Sequence, residues 1–251
     1  MRLYDTHCHF ERADPAEIGA MLARAKAAGV EKLMAVGGSP ALNESADVAV
    51  QVAAERADAP QVLVATGLDR EQVGRMCDVA YPSHRRTAVG EIGLDYHYSP
   101  ETREQQMKLF AAQLEEARRE NLPVVIHTRE AAEDTLALLR EIPTRGIIHC
   151  FTGGPEEAKA YLDLGLYVSM SGIVTFRAAN NVRESALVIP DDRILIETDS
   201  PFLAPVPMRG NPNEPAYIRH TCEFLAKLRG KDPEDFAELT FANAERCLVL
   251  E

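Results

Sequence analysis

Hydrophobic positions along this chain fall into two alternating kinds of segment. Short runs rich in aliphatic and β-branched residues recur at positions 2–6, 32–36, 61–66, 87–92, 124–127, 146–149, 167–171 and 193–198. Their length and composition predict buried strands. Between them, apolar residues recur every three or four positions, as on an amphipathic helix. The helix starts are marked. Asp14-Pro15-Ala16-Glu17 places a capping carboxylate, a first-turn proline and a third-position glutamate ahead of Ile18, Met21, Leu22 and Ala25. Ser99-Pro100-Glu101 opens a second helix, with Met107, Phe110, Leu114 and Ala117 on one face. Gly154-Pro155-Glu156-Glu157 opens a third, which Gly165 ends. A loop rich in proline and glycine, 200–215, is predicted to cross one end of the fold. Helices near 217–228 and 233–248 then complete an outer ring.

Eight strands alternating with helices predict a parallel sheet. The length of 251 residues suits its closed form, a (β/α)8 TIM barrel in which residues 1–251 make one domain. An open doubly wound sheet is the alternative. It gathers ligands only near a topological switch point, which would leave candidate residues on five separate strand ends far apart.

Those candidates are histidines and carboxylates, and each ends an apolar run. His7 and His9 lie two apart in Asp5-Thr6-His7-Cys8-His9, so an extended chain turns both to one side. Glu91 lies between Gly90 and Gly93, which permit close backbone approach. His127 follows Val124-Val125-Ile126, His149 follows Ile147-Ile148, and Asp199 follows Ile194-Leu195-Ile196-Glu197-Thr198. Imidazole plus carboxylate is a ligand set for divalent metals in hydrolytic sites. Glu91 has two oxygens and could bridge two cations, with His127 and His149 serving the second. Asp199 could bind metal and accept a proton from an attacking water. Glu197, two residues earlier, should point the same way but lie deeper, as an ion-pair partner or support.

Composition narrows the partners. A 46% hydrophobic content is enough for a large core, and no stretch reads as a membrane span or a signal peptide. The net charge of −12, without a lysine- or arginine-rich run, argues against a protein that coats nucleic acid. A polyanionic substrate would be held locally, by cations and a few arginines. The five cysteines are scattered and odd in number, as expected for reduced thiols of a cytoplasmic protein. Strand alternation should turn Cys8 and Cys150 away from their neighbouring histidines.

Together, Asp5-Thr6-His7-Cys8-His9, Gly90-Glu91-Ile92-Gly93-Leu94-Asp95-Tyr96, His127-Thr128-Arg129, His149-Cys150-Phe151-Thr152-Gly153, Glu197-Thr198-Asp199-Ser200-Pro201 and Asn213-Glu214-Pro215 resemble the TatD family of metal-dependent deoxyribonucleases. The resemblance implies a TIM barrel of the amidohydrolase superfamily with two or three divalent cations, described in the family as magnesium, manganese or zinc. It also implies a cytoplasmic 3'-5' exonuclease acting on DNA. Carried over by position, His7, His9, Glu91 and Asp199 would hold one ion, and Glu91, His127 and His149 the other. Asp199 would be the general base. Read from the residues themselves, Arg129 is the nearest cation for the phosphate and His149 could also contact it, Arg209 and Arg177 on mouth loops are further phosphate cations or solvated loop charges, and Tyr96, His97 and Tyr98 could stack on a base, line the entrance or simply pack.

One departure stands out. Where the family usually shows Gly-Ile/Val-His-Pro, this chain reads Gly67-Leu68-Asp69-Arg70, followed by a compact stretch to Gly90. Asp69 could be an oxygen ligand or a helix cap. The same barrel and metals could instead serve an aminoacyl-tRNA deacylase or another ester or amide hydrolase, since fold does not fix substrate. A catalytically idle metal-binding protein fits less well, because a structural site would normally be closed.

Overall fold

The computed structural model describes residues 1–12, 14–75 and 86–248. Eight parallel strands run in chain order around the sheet. They are β1 Leu3–Cys8, β2 Val30–Gly38, β3 Gln61–Leu68, β4 Ala88–Asp95, β5 Val124–Arg129, β6 Gly146–Ile148, β7 Tyr167–Met170 and β8 Ile194–Ile196. The helices among the described residues are α1 Pro15–Ala27, α2 Pro40–Ala54, α3 Arg103–Glu120, α4 Ala132–Glu141, α5 Pro155–Asp163, α6 Asn180–Val188, α7 Ile218–Leu228 and α8 Pro233–Leu248. This is the (β/α)8 barrel expected from the sequence.

The ring closes where the last strand meets the first. Beyond β8 the chain runs beside β1, with a parallel bridge between Cys8 and Ser200. The Asp199 N–H donates to the His7 carbonyl at 2.9 Å, and the His9 N–H to the Ser200 carbonyl at 2.8 Å. Wholly buried Asp5 completes the seam, accepting the Thr198 N–H at 2.9 Å and the Thr198 hydroxyl at 2.6 Å.

Alternation along the strands separates two cores. Leu3, Leu33, Val89, Val124 and Ile148 pack outward under the helices. Tyr4, Met34, Val125, Ile147 and Leu195 fill the interior. Phe241, Ala244 and Leu248 of α8 belong to the interior cluster, and α8 contacts β1, β6 and β8. Thus α8 passes beneath the barrel instead of completing the ring. Its apolar stripe finds the open bottom of the interior, with Phe241 5.6 Å from Tyr4.

The expected caps hold in part. Asp14 accepts the backbone N–H groups of Ala16 and Glu17 at 2.9 and 3.4 Å, and Gly165 takes φ +82° just beyond α5. Ser99 gives no side-chain cap, and a 3-10 turn at Pro100–Thr102 precedes α3. Cys8, Cys150, Cys222 and Cys247 are unpaired, while Cys77 and positions 76–85 of the compact stretch lie outside the described residues. No helix among the described residues is long and apolar enough to cross a membrane.

Candidate metal centre

The C-terminal ends of the strands bring six side chains into one cluster. His7 and His9 meet with their Nε2 atoms 3.0 Å apart. The His9 Nδ1 donates to the Val36 carbonyl at 2.8 Å, which leaves its Nε2 lone pair facing inward. Glu91 lies opposite, in a part of β4 that only glycines allow so close to β5. A Cβ on Gly90 would stand 2.6 Å from the Val125 Cβ, and one on Gly93 would stand 2.0 Å from the His127 carbonyl oxygen. Gly93 also takes φ +137°.

The two oxygens of Glu91 diverge. Oε2 lies 3.4 Å from His9 Nε2 and 3.7 Å from His7 Nε2. Oε1 lies 3.3 Å from both His127 Nδ1 and His149 Nε2. Asp199, just beyond β8 and in the left-handed region at φ +57°, brings Oδ1 to 3.7 Å from both His7 and His9. Ligands about 2.1 Å from a common cation lie roughly 3.0–3.5 Å apart. The spacings of 3.3–3.7 Å around Glu91 and Asp199 lie within or just beyond that range, and the donor types suit divalent cations. Three sets of three ligand atoms, drawn from His7, His9, Glu91, His127, His149 and Asp199, each lie within 4.8 Å of one another.

Surrounding groups orient these candidate ligands. His127 Nε2 meets Asp95 Oδ2 at 3.0 Å, so its Nδ1 faces Glu91. His149 Nδ1 meets Glu197 Oε1 at 3.3 Å, and the same oxygen accepts the Cys150 N–H at 2.6 Å. A carboxylate behind a ligating imidazole fixes its tautomer and raises its basicity. Asp95 also accepts the N–H groups of His97 and Tyr98, both at 3.0 Å, and lies 3.5 Å from Arg70 Nε.

The electrostatics are those of charge packed without water. Burial, followed by neighbouring His149 and His9, pushes His7 well below its usual pKa. Burial also opposes charge on His149 and Glu91, yet their mutual attraction outweighs it. His149 rises well above the usual histidine value, and Glu91 falls well below the usual carboxylate value. Asp199 is raised to about 7 by burial, with His149 and His9 opposing and Glu197 and Glu91 reinforcing the shift. Asp69 is raised to about 6 by burial and then by Glu91. Asp95 falls to about 2, because His127, the Tyr98 N–H and Arg70 outweigh its desolvation.

The cluster forms the floor of an open cavity of about 640 Å³. Arg129 lines it, with its guanidinium 4.8 Å from the Tyr98 ring centre. Arg209 and Arg177 do not line the cavity. The Arg209 guanidinium lies 3.9 Å over Phe176, because the loop after β8 packs against the segment after β7, where the Val206 N–H donates to the Thr175 hydroxyl at 2.9 Å. Of the aromatic trio, Tyr98 faces the cavity, Tyr96 donates its hydroxyl to Asp134 at 2.5 Å, and His97 meets Glu130 at 2.7 Å. Asp69 caps a short turn through the Glu71 N–H at 2.8 Å and also lines the cavity. Cys150 takes φ +44°, which breaks the strand alternation and brings it to the cavity wall, contrary to the sequence expectation. Sequence reasoning missed Asp95 as the partner of His127 and Phe202 as a wall residue. Asp95 stood four positions beyond Glu91, whereas nothing in the sequence marked Phe202.

Histidines and carboxylates gathered at the strand ends of a parallel barrel are the groups that metal-assisted hydrolysis calls for. A profile described as TatD related DNase matches residues 4–249, and the chain belongs to that family. It is 48% identical over 167 residues to the uncharacterized metal-dependent hydrolase YcfH of Escherichia coli K12, covering 65% of this chain and 63% of that relative's length. Against the uncharacterized metal-dependent hydrolase YabD of Bacillus subtilis, identity is 35% over 257 residues, with 97% of this chain and 98% of YabD covered. A Rahnella protein named 3'-5' ssDNA/RNA exonuclease TatD is 37% identical over 172 residues, 65% of either chain. The crystal structure of YJJV, a TatD homologue from Escherichia coli, superposes with a TM-score of 0.83 at 26% identity, covering 100% of this chain and 99% of that one.

Proposed function

We propose that the protein is a deoxyribonuclease dependent on two divalent cations, magnesium, manganese or zinc, and that it removes nucleotides from DNA in the 3'-5' direction. The observation that carries this reading is the divergence of Glu91. One oxygen faces His7 and His9, the other faces His127 and His149, and Asp199 stands on the first side. The name of the Rahnella relative supports the choice of nucleic acid as substrate.

His7, His9, Glu91 and Asp199 would hold one cation, and Glu91, His127 and His149 the other. When bound, the cations supply charge neutralisation at the phosphate and a lowered pKa for the attacking water. Asp199 would accept the proton of the attacking water as the water oxygen bonds to phosphorus, and would return it to the sugar oxygen as the P–O bond to that leaving group breaks. Arg129 steers a non-bridging phosphate oxygen, since a guanidinium matches phosphate geometry. His149, held by Glu197 and facing Glu91, would also contact the phosphate. Asp95 and Glu197 keep His127 and His149 oriented.

The test is an assay of purified protein on end-labelled single- and double-stranded DNA, with magnesium, manganese and zinc supplied separately. Stepwise shortening that disappears in His127→Ala and Asp199→Asn proteins is the expected outcome. Absence of cleavage by folded, loaded protein would reject the nuclease reading in favour of ester or amide hydrolysis.

A further inference from the structure

Two exposed aromatic residues line the mouth of the cavity from different strand ends. Tyr98 follows β4 and is 62% exposed, while Phe202 follows β8 and is 53% exposed. Both line the cavity whose floor holds Glu91 and Asp199. In a ring of eight strands in chain order, β4 and β8 stand on opposite sides. Exposed aromatic residues are unremarkable singly, but an opposed pair above a catalytic floor is a binding arrangement.

Each ring is held in place. The Tyr98 backbone is tied to Asp95, its ring meets the His97 ring at 4.9 Å, and the Arg129 and Arg70 guanidiniums lie 4.8 and 5.6 Å from its centre. The Phe202 N–H donates to the Asp199 carbonyl at 2.9 Å, its own carbonyl accepts from the Asn213 amide at 2.6 Å, and its ring lies 6.4 Å from that of His9. Among the described residues, Arg129 makes no ion pair and no side-chain hydrogen bond. In a chain of net charge −12, that leaves a guanidinium available at the cavity wall. Leu203 and Ile173 line the cavity as well, together with Glu11.

We propose that the mouth is a two-sided clamp for an unpaired nucleic-acid end, with one base on Phe202, its neighbour on Tyr98 and the phosphate beside that neighbour on Arg129. The inference rests on the nuclease reading and assigns its selectivity to particular residues. A base inside a duplex has its faces covered by stacking, so it cannot lie on either ring. A single strand offers every base face, and aromatic platforms with a nearby arginine bind it with little regard to sequence. The clamp therefore discriminates by strandedness.

The test uses manganese-loaded protein and fluorescence anisotropy, with a phosphorothioate-linked single strand and the same sequence as a blunt duplex. Wild-type protein is expected to bind the single strand about tenfold or more tighter than the duplex. Tyr98→Ala and Phe202→Ala are each expected to weaken single-strand binding about 5- to 100-fold. Phe202→Trp should retain single-strand binding and Phe202→Leu should not, which separates stacking from mere packing. Arg129→Ala should reduce the slope of log affinity against log salt by about 0.7, the contribution of one single-strand phosphate. The aromatic variants should keep the wild-type slope. Equal binding of both substrates by wild-type protein, or full affinity in Phe202→Leu, would overturn the clamp. If that happened while wild-type protein still shortened DNA, the nuclease reading would stand without it. Neither binding nor cleavage by wild-type protein would remove both.

Discussion

Asp95 illustrates how much one side chain can control without touching a reacting atom. It holds Nε2 of His127 and the N–H groups of His97 and Tyr98, so one carboxylate sets both a ligand's tautomer and the position of a wall residue. Asp95→Asn is expected to weaken metal affinity about 10- to 100-fold, measured by competition with a chromophoric chelator. The buried charges also make affinity depend on pH. In the metal-free protein Asp199 is raised to about 7, so below that pH a proton occupies an oxygen that a cation needs. Affinity should therefore climb as pH rises through about 7, and His149, itself raised well above the usual histidine value, must also give up its proton, so protons are released on binding. Calorimetry in buffers of different ionisation enthalpy would measure that release. The positions of the six ligand candidates were legible because each ends an apolar run. The fate of Arg209 was not, since its stacking on Phe176 depends on how a long loop folds.

At the scale of elements, strand positions could be read from the apolar runs, while strand ends shifted. The runs expected at 146–149 and 193–198 end as β6 Gly146–Ile148 and β8 Ile194–Ile196. Positive φ follows soon after each, at Cys150 and Asp199, where the backbone leaves the extended conformation. The helix starts make separate predictions. Asp14→Ala removes the acceptor for two N–H groups of α1 and should cost about 1 kcal/mol in urea unfolding. Gly93→Ala places a methyl group against the His127 carbonyl in a conformation alanine disfavours. It should lower the melting temperature much more, with loss of metal binding because His127 must move. The place of α8 was hidden because an apolar stripe identifies a helix but not the surface it will cover.

The whole molecule joins distant parts of the chain at one site, and cation binding should report that. Adding a cation that binds only the folded state raises stability by about 2.7 kcal/mol at a concentration 100 times the dissociation constant. Melting temperature should thus rise with metal concentration in wild-type protein and much less in His7→Ala. The seam between β1 and β8 carries a further consequence for synthesis on the ribosome. A nascent chain that has emerged as far as position 190 already carries His7, His9, Glu91, His127 and His149, but lacks Asp199 and the segment that bridges Cys8 to Ser200. Five of the six ligand candidates would then wait on an unclosed sheet. The polypeptide cannot complete its candidate metal centre, or acquire its candidate general base, until Asp199 has been made and the two ends of the barrel have found each other.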